Sequence, residues 1–456
     1  MSLSNDDPIV AIATASGRGS IGVIRVSGKS LKKFFLVLTR YAEPVPRIAH
    51  YLPIYDSDQS LIDQAIVIYF HGPHSYTGED VVEIQGHGGS AVLRLLLLRC
   101  LDIGRGDNLR LAQPGEFTLR AFLNDKIDLA QSEAVADLID ANSAAAAKAA
   151  AASLSGAFSR EVEHLASLMI AVRMLVEATL DFPEEEIEFI ENYQVREKLD
   201  SIKQQLEKVL KTSRQSTYLR EGLKVVLAGK PNVGKSSLLN AIFGQDIAIV
   251  TDIAGTTRDR IRETLNIDGV PIQITDTAGL RETTDAIEAI GIERTWQSIA
   301  EADLLLDIVD ATGPQSILSQ WANKTELQGK ENIVVNNKYD LLDANEKALK
   351  IDSGAFFTST KTGHGIEELK SLILNKAGRQ LGEVSPWLGR QRHVKALELA
   401  QQHLCAAIGH AQFNDDLLDL VAEELRLAHD ALGEITGTIT ADDLLGHIFS
   451  SFCIGK

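Results

Sequence analysis

The run Gly229-Lys-Pro-Asn-Val-Gly-Lys-Ser236 sets two glycines around a short loop and ends on a lysine and a hydroxyl. That spacing suits a chain of phosphates. Glycines let backbone N–H groups turn inward onto phosphate oxygens, Lys235 neutralises charge on the β and γ groups, and the Ser236 hydroxyl can hold Mg²⁺. The flanks agree, because Leu223-Lys-Val-Val-Leu-Ala228 reads as a buried strand and a helix opens at Lys235 and Ser236. Asn232, Val233, Gly234, Lys235, Ser236 and Ser237 are therefore candidate triphosphate contacts.

Four further motifs follow along the chain. Asp276-Thr277-Ala278-Gly279 comes after the strand at 272–275, which puts Asp276 at a strand end beside Mg²⁺ and Gly279 where a γ-phosphate is sensed. Before it, the loop Thr251, Asp252, Ile253, Ala254, Gly255, Thr256, Thr257 offers Thr257 as the second Mg²⁺ hydroxyl. Asn337-Lys338-Tyr339-Asp340 follows the strand at 333–335. The Asp340 carboxylate can accept both N1–H and N2–H of guanine, whereas adenine would leave it unpaired, so the motif selects GTP over ATP. Ser359, Thr360 and Lys361, after Phe356-Phe357, fit the last guanine-contacting loop. Residue 280 is leucine, where Ras-like enzymes carry a glutamine that orients water, so hydrolysis needs another residue. Asn232, with hydroxyls and carbonyls from Thr251 to Thr256, can complete an oxygen cage for a monovalent cation, which would stabilise transition-state charge as an arginine finger does.

A chain of 456 residues exceeds one hydrophobic core and favours roughly two to four domains. Short β-branched runs at 9–13, 21–26 and 65–70, broken by glycine and proline turns, give an α+β region. From Leu129 the texture is alanine-rich helix, with Leu165, Leu168, Val172, Leu175, Val176 and Thr179 on one face. Strands alternate with helices from about 221 to 377, and helix returns after Pro386, with Leu397, Leu399, Leu404 and the stretch 417–432 apolar. The expected organisation is multidomain, α/β and α+β: an N-terminal domain at 1–121, a helical domain in two parts at 122–220 and 380–456, and an inserted Ras-like G domain at 221–379.

The formal net charge is −18, so the chain as a whole repels nucleic-acid backbones and any RNA partner needs a local basic patch or a helper. Phe182-Pro-Glu-Glu-Glu-Ile-Glu188 carries part of this acidity and reads as a solvated helix start. Only three cysteines, Cys100, Cys405 and Cys453, are present, and with no apolar run of membrane length and no signal-like start the expected residence is cytoplasmic. Gly17-x-Gly-x-x-Gly22 imitates a dinucleotide fingerprint, but a strand follows where a helix is needed. His87, in Gln85-Gly-His-Gly-Gly89, has no second metal ligand at suitable spacing and reads as a hydrogen-bonded turn residue.

Outside the G motifs, the chain resembles the MnmE (TrmE) family of tRNA-modifying GTPases, among the TrmE-Era-EngA-like P-loop GTPases. The likeness is carried by 17–28, Ser75-Tyr-Thr-Gly-Glu-Asp80, Gln85–Gly89, Pro114-Gly-Glu-Phe117, Arg120-Ala-Phe-Leu-Asn124 and Phe452-Cys-Ile-Gly-Lys456. It implies a folate-binding N-terminal domain that also makes a homodimer, and work with the FAD- and NADH-dependent partner MnmG, in a heterotetramer. The implied reaction places an aminomethyl or carboxymethylaminomethyl group on C5 of the wobble uridine of certain tRNAs, using a tetrahydrofolate one-carbon unit, 5-formyl or methylene.

By the same resemblance, K⁺ is held by Asn232, Thr251, the Ile253 carbonyl and Thr256, and Mg²⁺ by Ser236 and Thr257. K⁺-dependent pairing of G domains would activate hydrolysis. Glu288 matches a glutamate that positions water, Arg281 reads equally as a support of the mobile switch or as an ordinary surface arginine, and Lys235 supplies catalytic charge. Folate contacts map to Arg25, Glu83, Lys126 and Lys456, with Cys453 a candidate nucleophile or acid beside them. Asn336 and Thr360 stand where small residues are common, but guanine contact there is through backbone. The competing reading is a ribosome-assembly switch with the same G module and no folate site. The likeness of 1–125 and of the carboxyl end favours the modification enzyme.

Overall fold

The computed structural model describes residues 7–41, 43–181, 194–243, 263–267, 270–276, 296–313, 318, 327, 330–343, 356–377, 385–438, 448–449, 452 and 455. The acidic stretch 182–188 lies outside them. The chain divides into two compact units, one of Met1–Ala136 with Leu432–Lys456 and one of Asp137–Ala431.

The first unit holds a six-stranded sheet in the order β3-β4-β5-β2-β1-β6. Its strands are β1 (Ile9–Ile12), β2 (Ile21–Gly28), β3 (Ala49–Tyr55), β4 (Leu61–Phe70), β5 (Asp80–His87) and β6 (Arg110–Leu111). All neighbours run antiparallel except β1 with β6. Period-two alternation sorts the faces. Val10, Ile24, Val26, Val67 and Ile84 pack with Phe35 of α1 (Lys32–Thr39) and Leu96 of α2 (Ser90–Ile103). On the other face Ile9 and Ala11 meet Phe117 of α3 (Glu116–Leu123), with Tyr76 against them. The glycine fingerprint at 17–22 joins β1 to β2 in an antiparallel pair, so the strand–loop–helix unit that a dinucleotide fingerprint needs is not formed there. His87 ends β5, where its Nδ1 donates to Asp63 Oδ1 at 2.8 Å.

Asp80 closes the loop that precedes β5. Its carboxylate accepts from Tyr69 Oη at 2.7 Å, His71 Nδ1 at 2.9 Å, Gly72 N at 3.0 Å and Leu31 N at 3.0 Å. Leu129, which opens α4 (Leu129–Asp140), packs with Ile448, Phe449 and Phe452, so the carboxyl end of the chain completes this unit's apolar interior.

In the second unit α5 (Ala144–Leu154), α6 (Ala157–Asp181) and α7 (Val195–Glu221) precede a sheet ordered β12-β11-β10-β7-β9-β8. Ser143 caps α5, its hydroxyl accepting from Ala146 N. The buried stripe of α6 is Phe158, Val162, Leu165, Met169, Val172 and Val176. Leu168, Leu175 and Thr179 sit on its flanks, one step round from the stripe, and Leu399 is exposed.

The strands are β7 (Leu223–Ala228), β8 (Glu263–Ile267), β9 (Val270–Asp276), β10 (Leu304–Asp310), β11 (Asn332–Asn337) and β12 (Phe356–Phe357). Only β8 runs antiparallel to its neighbour. Parallel strands are covered on both faces, which is why β10 is apolar at almost every position. Val225, Leu227, Leu306 and Ile308 pack with Leu238 of α8 (Lys235–Phe243) and Leu369 of α9 (Ile366–Lys376). Val226, Ala228 and Leu305 pack with Trp296 and Ile299.

Chain after the sheet returns to the helices before it. Trp387 Nε1 donates to Ser213 Oγ at 3.2 Å, Leu388 N to Ser153 Oγ at 2.8 Å and Gly389 N to Ser216 Oγ at 2.7 Å. Buried Asp137 accepts from Arg220 and from Arg390, tying α4 to the end of α7 and the start of α10 (Gln391–His410). α11 (Leu418–Thr436) follows.

Candidate functional site

The central strand β7 ends in the phosphate-loop sequence. Gly229 has φ +150° and Gly234 φ +98°. A Cβ on Gly229 would lie 2.4 Å from the Ile308 carbonyl oxygen, and one on Gly234 2.3 Å from Asn337 Nδ2, so neither position admits a larger residue. Between them Asn232 is also left-handed, at φ +66°, a conformation its short polar side chain tolerates. Buried Val233 anchors the loop in the core. The Lys235 ammonium donates to the Gly229 carbonyl at 2.8 Å and the Lys230 carbonyl at 3.3 Å. Ser236 and Ser237 are exposed in the first turn of α8, where free helix N–H groups and the dipole favour an anion.

The guanine motif arrives at the same edge of the sheet. Asn337 ends β11 and is 1% exposed. Its Nδ2 donates to the Val233 carbonyl at 2.9 Å, and its Oδ1 accepts from Thr358 Oγ1 at 3.3 Å. Lys338, at φ +65°, sends its ammonium to Asp310 Oδ2 at 2.7 Å. Asp340 Oδ1 accepts from the hydroxyl of fully buried Ser359 at 2.7 Å. Ser359 N donates to the His364 carbonyl and Gly363 N to the Ser359 carbonyl, both at 2.9 Å, which shapes the turn holding Thr360 and Lys361. The Tyr339 ring stacks on His364 with centroids 4.5 Å apart.

Asp276 is the last residue of β9 and the register partner of Leu227, so the backbone of a third motif reaches the same edge. Ligands of open α/β sheets bind outside the carboxyl ends of the strands where the strand order reverses, and β7 lies at that point between β10 and β9. Thr251 to Thr257, Thr277 to Gly279, Leu280, Arg281 and Glu288 lie outside the described residues. Sequence reading missed Asp310. Its signal was a carboxylate closing the apolar run of β10, at the strand end adjoining Asn337.

A second constellation occupies the first unit. Arg25 and Glu83 are direct cross-strand partners on β2 and β5. Arg25 Nε and Nη2 both donate to Glu83 Oε1, at 2.9 and 2.8 Å. The guanidinium carbon lies 5.3 Å from the Tyr76 ring centroid and 5.7 Å from that of Phe117. Tyr76 Oη and Thr118 Oγ1 share a 2.8 Å hydrogen bond, and burial raises the Tyr76 phenol pKa. Two rings and one carboxylate oxygen therefore fix the guanidinium, leaving a half-buried carboxylate and a cation side by side for a heterocycle with donors and acceptors on one edge. Lys126 is exposed and the stem of its side chain lies against Gly78, two residues from Tyr76. Gly455 packs against Ile12 and Ala13. Cys453 and Lys456, on either side of it, lie outside the described residues.

Comparison with known proteins covers both units. The family model described as the MnmE helical domain matches residues 129–453, and that of the GTP-binding protein TrmE N-terminus matches 8–126. A tRNA modification GTPase MnmE of Bordetella avium is 56% identical over 454 residues, covering 100% of each chain. One from Burkholderia mallei is 53% identical over 472 residues, again covering 100% of both. Among solved structures, a variant of Aquifex aeolicus Era bound to GDP.AlF4- is 27% identical and covers 40% of this chain and 66% of its own, with a TM-score of 0.28. The end-to-end likeness to the curated relatives decides the matter, and the chain belongs to the MnmE family of tRNA modification GTPases.

Proposed function

We propose that this protein is a K⁺-stimulated GTP hydrolase that modifies C5 of the wobble uridine of certain tRNAs, adding an aminomethyl or carboxymethylaminomethyl group with the FAD-dependent partner MnmG. The observation that carries the reading is the meeting of the phosphate loop with Asn337, Asp340 and Ser359 at one sheet edge, within a chain that resembles tRNA modification GTPases along its whole length. Gly229, Gly234 and Lys235 cradle the phosphates, and Asp340 reads guanine. Ser236 and Thr257 would hold Mg²⁺, with Asp276 at the adjoining strand end. Asn232, Thr251, Ile253 and Thr256 would hold K⁺, which supplies positive charge where the triphosphate accumulates negative charge. Glu288 takes the water-positioning role that Leu280 cannot fill.

The first unit is the folate-binding and dimerising part. Arg25, Glu83, Lys126 and Lys456 hold a tetrahydrofolate derivative, with Cys453 close enough in sequence to take part. The G domain at 221–379 stands between the two parts of the helical domain, which the stitching of Trp387, Leu388 and Gly389 to the earlier helices supports. The homodimer works in the cytoplasm as a heterotetramer with MnmG.

The test is reconstitution. Purified protein, MnmG, GTP, a methylene or formyl tetrahydrofolate and unmodified tRNA should yield C5-modified wobble uridine, detected by mass spectrometry of nucleosides, and ATP should not replace GTP. GTP hydrolysis with no modified uridine under any folate donor would reduce the protein to a GTPase switch.

A further inference from the structure

The ion pair between Lys338 and Asp310 joins two strand ends. Asp310 is the final residue of β10 and Asn337 the final residue of β11, and the two are register partners. The Ala311 N–H donates to the Asn337 carbonyl at 2.8 Å, so the chain leaving β10 is fixed to the residue immediately before Lys338.

The Asp310 carboxylate is itself held. Its Oδ1 accepts from Thr312 N at 3.0 Å and from Thr312 Oγ1 at 2.8 Å, and its Oδ2 accepts from Lys338 Nζ at 2.7 Å. Burial works against the charged carboxylate, but the bonds from Lys338 and Thr312 outweigh it and keep its pKa below the ordinary range. The carboxylate is thus held as an anion, with partners on both oxygens.

Lysine is a poor candidate for a fixed element on its own. Its four-carbon stem carries about 2 kcal/mol of rotamer entropy, and here its backbone is also left-handed, which a side chain with a Cβ adopts at a cost. A tether at the ammonium removes that freedom in advance, so binding need not order the stem. The neighbouring side chains of the motif are held in the same way, Asn337 by Val233 and Thr358 and Asp340 by Ser359.

We propose that Asp310, locked by Thr312, is a positioning residue for nucleotide binding: it holds the Lys338 ammonium so that the lysine stem is pre-set as part of the guanine pocket. This rests on reading Asn337 to Asp340 as that pocket. Asp310 touches neither phosphate nor base in this scheme. Its effect reaches GTP and GDP alike and falls on affinity, not on turnover.

The experiment is a double-mutant cycle with N-methylanthraniloyl-GDP on the full-length protein, using Asp310→Ala, Lys338→Met, which keeps an apolar stem of similar length, and both together. Asp310→Ala should weaken binding about fivefold, or ~1 kcal/mol at 1.4 kcal/mol per tenfold, mainly through faster release. Lys338→Met should weaken it similarly, and the pair should be little worse than either. KM for GTP should rise in step while kcat at saturating GTP changes less than twofold. Thr312→Val, which removes one of the bonds that lock Asp310, should give a smaller loss in the same direction and serves if Asp310→Ala folds poorly. Unchanged affinity in Asp310→Ala and Thr312→Val, fully additive losses in the cycle, or a fall in kcat without a change in KM would each overturn the assignment. Asp340→Asn separates the underlying reading: if it leaves guanine nucleotide binding intact, the pocket itself is misplaced.

Discussion

The side-chain amide of Asn337 donates a 2.9 Å hydrogen bond to the carbonyl of Val233, across 104 residues of chain. Two motifs far apart in sequence therefore share one buried polar contact, which joins the phosphate loop directly to the guanine motif. A change on one side of this contact is therefore expected to reach the other.

Replacing Asn337 with alanine should accordingly do more than remove a contact near the base. It leaves the buried Val233 carbonyl without its donor, a cost of about 1–3 kcal/mol, and loosens the phosphate loop. Affinity for GTP and GDP should fall roughly 10- to 100-fold, measured by titration of a fluorescent nucleotide. An equal loss for inorganic triphosphate would place the damage in the phosphate loop. A loss confined to guanosine nucleotides would place it at the base.

Asp340 Oδ1 accepts from the hydroxyl of buried Ser359, which restrains the orientation of the carboxylate proposed to read guanine. Asp340→Asn exchanges one acceptor for a donor and should shift preference from GTP to xanthosine triphosphate by a factor of 10 or more, on the order of 1.4 kcal/mol. Competition between the two triphosphates in a hydrolysis assay reads this directly, and an unchanged preference for GTP would contradict the guanine assignment.

These two contacts also mark what the sequence could disclose. The positions of Gly229, Lys235, Asn337 and Asp340 were legible because phosphate and guanine chemistry demand those residue types at those spacings. The strand before the phosphate loop was legible because both-face burial leaves an apolar run, as in Val225 to Ala228. Partners were not legible. Nothing local distinguishes Asp310 from any acid ending a strand until β10 and β11 are known to be neighbours. Of the face read for α6, Leu165, Val172 and Val176 are in the core, but Met169 is buried where Leu168 beside it is only partly so, a choice made by packing and not by hydropathy. Asp80 stood out as part of a motif, yet its four donors come from Tyr69, His71, Gly72 and Leu31, one of them 49 residues away.

The monovalent-cation reading turns on Asn232. In a phosphate loop held with that residue left-handed, its side chain stays short and polar at the position proposed for K⁺. GTP hydrolysis should be several-fold faster in KCl than in NaCl at equal ionic strength, and Asn232→Ala should erase the difference. Because alanine is also disfavoured at φ +66°, Asn232→Gly is the fairer comparison, and it should behave alike. Equal rates in the two salts for the parent protein would remove the cation from the mechanism.

Asp80 gives the first unit a pH dependence of known sign. Burial alone would raise its pKa, but the donors from Gly72, Tyr69, Leu31 and His71 together hold it below the ordinary carboxylate value. A depressed folded-state pKa means that the stabilisation is complete above the unfolded value near ~4 and is lost as pH falls through the folded value. Asp80→Asn should cost about 2–3 kcal/mol at pH 7, and the gap to the parent protein should narrow as pH drops from about 5 towards 2. Melting followed at pH 7 and pH 3 tests this, and a gap of the same size at both would show that the charge on Asp80 contributes nothing.

The last prediction concerns Arg25 and Glu83. If the pair were only structural, a cross-strand ion pair half open to solvent, removing it would change stability by no more than about 1 kcal/mol and nothing else. If it reads a pterin, the two residues do different work. Glu83 offers acceptors to the N–H groups of the heterocycle, while Arg25 orients that carboxylate by giving two bonds to Oε1 and is itself kept in place by Tyr76 and Phe117. Lysine cannot make the two-pronged contact, because its ammonium is a point charge on a flexible stem. Arg25→Lys should therefore lose most of the affinity for 5-formyltetrahydrofolate, nearly as much as Arg25→Ala or Glu83→Ala, while the GTP hydrolysis of the same preparations stays near the parent value. Equilibrium dialysis with the folate decides it. Saturable binding that survives both Arg25→Ala and Glu83→Ala would move the folate site elsewhere, and full retention in Arg25→Lys alone would show that Arg25 acts by charge and not by orienting its partner.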